Sequence, residues 1–305
     1  MQPETSKTVE VQSLAEQGLQ PLPLEDEMPS LSWELLLNRV KHALGTSAPY
    51  LALIGLVSSL LAWYLLSEVL KAPLFEKLPG PVAVASEWFA RKPTFGMSIF
   101  TSDYYLHIWK SVWRVLQAFT LATVLGVPLG LFMGWSKVFK DYSFAVFETL
   151  RPIPMLSWVP LAILMFPGRE ASVIYVTFLG AFFATTLNTL LGVESIDEVY
   201  FRAARCLGSS PRQIFFRVIL PGALPFIFTG LQISMGYAWF CLVAGEMIAG
   251  EFGLGYLIWN AYMTVQYPVL VIAMITLGFL GWGSSGLVRM VGRRLMQWQV
   301  REMAR

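Results

Sequence analysis

Charge is scarce in this sequence. Of 305 residues only 22 are Lys or Arg and 20 are Asp or Glu, which is 14% against the roughly 25% of a soluble domain. The net formal charge is only +2, so nothing marks a nucleic-acid partner. Cysteine is nearly absent too. Cys206 and Cys241 are far apart and imply no disulfide framework. Histidine is limited to His42 and His107, which stand alone, and without a Cys-x-x-Cys or His-x-x-x-His pairing no metal site is expected. No G-x-x-x-x-G-K-[ST] stretch occurs, so the chain holds no nucleotide by a P-loop of its own. No Ser, His and acid set falls at one depth of a membrane. The expectation is a protein that is not an enzyme, with no cofactor in this chain. A charged-then-apolar leader with a small-residue cleavage site is also missing, so the first transmembrane helix is expected to act as an uncleaved anchor.

What is abundant is apolar surface. Hydrophobic residues make up 55% of the chain and the mean hydropathy is +0.57, the composition of an integral membrane protein. Residues 1–29, rich in Glu, Gln and Pro, are expected to be a disordered tail. Over 30–47, Trp33, Leu36, Leu37, Val40 and Leu44 recur at helical spacing opposite Glu34, Asn38 and Lys41. That pattern predicts an amphipathic helix lying in the membrane interface or against a partner. Six apolar stretches are long enough to span the bilayer, near 48–69, 108–135, 143–166, 171–192, 222–246 and 267–290. They make 48–292 a membrane domain and leave 293–305 as a tail. Basic residues decide the orientation. With the N-terminus inside, Lys137, Lys140, Arg202, Arg205, Arg212, Arg217, Arg289, Arg293 and Arg294 are all cytoplasmic, while the last external loop holds no Lys or Arg. Both termini are therefore expected in the cytoplasm.

The longest charged interval inside the apolar C-terminal half is the elbow, residues 194–221. Ser195 and Glu198 read as a capping box opening a helix, with Ile196, Val199, Ala203 and Leu207 on one face. Gly208 is placed to end that helix in a left-handed turn. Ser210-Pro211-Arg212-Gln213 then opens a second helix, which Pro221 is expected to close. Taken alone, this is either a rigid docking elbow or an amphipathic loop on the bilayer surface.

The elbow's Arg202-Ala203-Ala204, Gly208 and Val218-Ile219-Leu220-Pro221 resemble the EAA loop of inner-membrane permeases of binding-protein-dependent ABC importers. Two positions depart from that pattern, Arg202 for the usual acid and Val218 for Ile. Ser111 to Val115, Arg151-Pro152-Ile153-Pro154, Trp158 to Leu161, Gly230-Leu231, Ala244 to Met247 and Gly253-Leu254-Gly255 resemble the branch that takes up nitrate, sulfonate, taurine and bicarbonate. In that branch an Arg usually follows Gly-Leu, where this chain has Gln232. The resemblance implies an all-α type I (MetI-like) permease fold and a coupling elbow made by Arg202, Ala203, Ala204, Gly208, Leu220 and Pro221. It also implies a homodimer in a bacterial inner membrane, two ATPase subunits that bind ATP and Mg, and an external solute-binding protein. An ATP-independent channel or secondary transporter and a pure membrane anchor are the rival classes.

Polar groups inside hydrocarbon usually pair with one another or line a path. The candidates are Arg151, Glu148, Thr185, Asn188, Gln232 and Glu246. Arg151 with Glu148 reads either as an internal ion pair or as part of an anion pathway. Thr185 and Asn188 read as interhelical bonding groups or path residues, and Glu246 as an external gate or docking residue, or else a solvated helix end. Counting Arg114 and Arg151 against Glu148 as the acid well inside leaves an excess of positive charge, which favours a small anion as passenger.

Overall fold

The computed structural model describes residues 47–70, 73–75 and 77–296. The tail expected over 1–29, the interfacial helix up to residue 46 and residues 297–305 lie outside them. Helix α1 (Ser47–Tyr64) continues into a π turn, Leu65–Val69, and its residues 50–69 are long and apolar enough to cross a membrane. It carries no apolar stripe, as befits a helix whose whole surface meets apolar surroundings.

From Trp63 to Met296 the described residues form one packed unit. Its helices are α2 (Pro81–Trp88), α3 (Ser102–Trp135), α4 (Lys137–Leu150), α5 (Trp158–Met165), α6 (Arg169–Glu194), α7 (Glu198–Cys206), α8 (Pro211–Ile214), α9 (Leu220–Ala249), α10 (Leu254–Met263) and α11 (Tyr267–Leu295). The hub is α6, which packs against α3 on one side and α9 on the other. On α3, Gly126, Gly130 and Gly134 repeat every four residues, and a Cβ on Gly130 would stand 2.6 Å from the Thr186 carbonyl oxygen. In lipid, where apolar side chains gain little by meeting one another, such close backbone approach is what binds helices together. Beyond α9, α10 and α11 close over Leu254, Leu257, Ala261, Val269 and Ala273.

Three sequence expectations are corrected here. Five helices among the described residues, not six, are long enough to span a membrane. The stretch 143–166 is not a single helix but α4, a turn and the 3-10 turn Met155–Ser157 leading into α5. Pro152 and Pro154 supply no N–H, and each disfavours the helical region for the residue before it, so the helix breaks there. Second, Ser195 does not open the elbow. The helix α6 runs on to Glu194 because Leu190 and Val193 are still buried, and Ser195 Oγ donates back to the Gly192 carbonyl. The N-cap is Asp197, whose carboxylate accepts from Val199 N at 2.9 Å. Third, Pro221 does not close the second elbow helix. From α8 the chain passes through a π turn, Phe215–Ile219, directly into α9, with Pro221 in the first turn of the α segment. The wide π turn just before it leaves room for the proline ring, so the missing N–H removes a hydrogen bond without ending the helix.

Candidate functional site

The elbow is set by its caps. Gly208 adopts φ +74°, and the N–H groups of Gly208 and Ser209 donate to Arg205 O and Ala204 O at 3.0 Å, which closes α7. Ser210 and Gln213 then cap each other reciprocally at the start of α8. Of the expected apolar face, Val199, Ala203 and Leu207 point outward, Val199 and Leu207 being 56% and 85% exposed, and Tyr200 beside them is 64% exposed. Phe201 and Ala204 instead turn in against the cluster around Ile214 and Ile219. Arg202 and Ala203 are exposed, while Leu220 and Pro221 are half-buried at the base. The elbow is thus an amphipathic helix held by two capped turns, with large apolar groups facing outward.

The break between α4 and α5 opens a cavity of about 390 Å³ lined by Arg151, Met155, Phe183, Asn188, Ile233 and Tyr237 among others. Arg151 donates to Glu148 at 2.7 Å, and both side chains are partly exposed. Asn188 donates to the Ala184 carbonyl at 2.8 Å. Of the other candidate path residues, Thr185 is wholly buried, and its hydroxyl has no partner among the described residues. Gln232 accepts from Arg289 Nε at 3.3 Å. A larger cleft of about 750 Å³, with Leu156, Phe240, Met247 and Trp259 in its wall, offers no charged side chain.

Glu246 is not a solvated helix end. It is fully buried and accepts from Arg114 Nη1 at 2.7 Å, from Ser111 Oγ at 2.9 Å and from Gly255 N at 2.8 Å. The rest of the buried Arg114 guanidinium forks onto Glu170, with both bonds at 2.7 Å. Ser111 Oγ also accepts from Leu254 N, and Gly253 N donates to His107 Nδ1 at 3.0 Å. One charged cluster thus ties α3, α6, α9 and the turn before α10 together, at the end of α3 away from the elbow. This corrects the charge count made above, because Arg114 faces two carboxylates and contributes no positive excess. Sequence reading missed the pairing because Glu170 and Glu246 lie 56 and 132 positions from Arg114. The legible signal was Gly253-Leu254-Gly255 after Glu246, since a Cβ on Gly253 would fall within the Glu246 carboxylate.

The described residues form an all-helical bundle with five helices long and apolar enough to cross a membrane, together with a capped surface elbow. The model of the binding-protein-dependent transport system inner membrane component family matches residues 126–297. Over 206 residues the chain is 35% identical to the nitrate import permease protein NrtB of Synechocystis, covering 67% of this chain and 75% of that protein. Over 236 residues it is 30% identical to the bicarbonate transport system permease protein CmpB of Synechococcus elongatus, covering 76% and 84%. Among solved structures, a chain of the inward-facing MetNI methionine ABC transporter superposes with a TM-score of 0.52 at 20% identity, over 63% of this chain and 93% of that one. The chain belongs to the binding-protein-dependent transport system inner membrane component family, as an ABC importer permease subunit with the type I permease fold.

Proposed function

We propose that this permease forms the path for a small oxyanion, nitrate or bicarbonate, and is driven by a separate ATPase that docks on the elbow. The observation that carries the coupling is the outward apolar face of α7, Val199, Tyr200 and Leu207, on a helix fixed at both ends by capped turns. The substrate class is supported by the nitrate and bicarbonate permeases among its relatives. Two copies surround the path in a bacterial inner membrane, each taking one ATPase subunit that supplies ATP and Mg, and an external solute-binding protein delivers the anion. Closure of the ATPase pair pushes the elbows, and because α8 and α9 are continuous the push passes straight into a spanning helix.

The elbow is tested at Gly208. A Cβ there meets nothing within 4 Å, so Gly208→Val acts only through its φ of +74°, at a cost of about 1–2 kcal/mol. We expect normal accumulation and assembly with a several-fold loss of stimulated ATPase activity and of anion uptake in proteoliposomes. Wild-type values for both rates would remove the elbow from coupling, and uptake without any ATPase would point to a channel. Orientation has its own probe, since Cys206 is exposed on the elbow and Cys241 is buried. A membrane-impermeant maleimide should label Cys206 in inverted vesicles but not in intact cells, and the reverse result would turn the topology over.

A further inference from the structure

We propose that the cavity at the α4–α5 break is a stopping place for the anion in transit. In it Arg151, Asn188 and Tyr237 donate hydrogen bonds, and Glu148 keeps the affinity low enough for the anion to leave. This rests on the reading of the chain as a permease for a small oxyanion.

The donors are counted from the side chains. Arg151 gives one Nη2 bond to Glu148, and its Nε and Nη1 have no partner among the described residues. Asn188 gives one N–H to Ala184 O and keeps a second. Tyr237 is half exposed beside them, and its hydroxyl is likewise unpaired among the described residues. Several donor-bearing side chains lining a space of about 390 Å³ suit a ligand made mainly of acceptor oxygens. Met155, Phe183 and Ile233 complete the wall with apolar surface, which strips hydration from the anion's faces. The space is much larger than a four-atom anion, so recognition here comes from donors and charge rather than tight fit.

Glu148 sets the strength. Paired with it at 2.7 Å, Arg151 offers donors but little net charge. The two side chains are 39% and 41% exposed, so the guanidinium can share itself with an incoming anion without first being stripped from a buried partner. A transport site must bind well enough to admit its ion and weakly enough to release it. The Arg151 and Glu148 pair supplies that balance.

The test uses the full chain. Binding of potassium nitrate and potassium bicarbonate is measured by calorimetry on the purified protein, and uptake of both is measured in proteoliposomes holding the assembled importer. Glu148→Gln should tighten nitrate binding by about tenfold while lowering maximal uptake. Arg151→Gln should abolish saturable binding and raise KM. Asn188→Ala and Tyr237→Phe should each weaken binding by a factor of about three to ten with assembly intact. Wild-type Kd values in both Glu148→Gln and Arg151→Gln would overturn the proposal. If Arg151→Gln transports at wild-type KM and rate, the cavity is not on the path although the substrate reading stands. If binding depends on Arg151 but neither anion is taken up, the cavity stands and the substrate reading falls.

Discussion

Replacing Arg114 by Met should cost the folded protein about 3–5 kcal/mol, the penalty for leaving a buried carboxylate without its partner. Glu246 is fully buried, and Arg114 is the cation bonded to it. Glu170 would be harmed less, since its side chain is 55% exposed and Lys110 lies 3.6 Å away. Thermal denaturation in detergent should therefore show a lowered midpoint with much reduced accumulation in the membrane. The double change Arg114→Met with Glu246→Leu removes both charges and should recover part of the loss, because an apolar pair of similar volume needs no desolvation. If Arg114→Met alone melts like the wild type, the cluster does not hold the fold.

The second large effect is expected at Gly253, where two costs coincide. Its φ of +124° with ψ 167° lies in a region open essentially to glycine, worth about 1–3 kcal/mol for any other residue. A Cβ would also fall within the Glu246 carboxylate, which cannot move aside while Arg114, Ser111 and Gly255 hold it. Overpacking of this kind adds roughly another 1–3 kcal/mol. Gly253→Ala should thus destabilise nearly as much as Arg114→Met, although it removes no hydrogen bond. Gly278→Ala, where a Cβ meets nothing within 4 Å, is the control in the same detergent assay. Equal melting of Gly253→Ala and the control would show that the turn before α10 yields freely.

These two effects fall in the part of the molecule that sequence reading described least well, and the contrast with the elbow explains why. Gly208 in a left-handed turn, Ser210 and Gln213 capping each other and Pro211 in the first turn are decided by residues within four positions. Local hydrogen bonding and backbone sterics fix them whatever surrounds them. The apolar runs that became α3, α6, α9 and α11 were equally legible, since their hydrophobicity must match the bilayer. Together these determined a multi-span permease with a capped elbow.

The tertiary structure alone decided what each buried polar group faces. Periodicity says that Arg114, Glu170 and Glu246 lie in or beside apolar helices, but not that the helices bring both carboxylates to 2.7 Å from the one guanidinium. That depends on how α3 and α9 seat on α6, which glycine contacts set by packing. Packing likewise carries the chain through the π turn and past Pro221 into α9, where a proline in sequence signalled a stop. It also joins Arg151 to Asn188 and Tyr237, 37 and 86 positions further along, as walls of one cavity. Short-range chemistry shapes the turns and spans of this permease, while its charged cluster and its polar cavity exist only once helices distant in sequence are in contact.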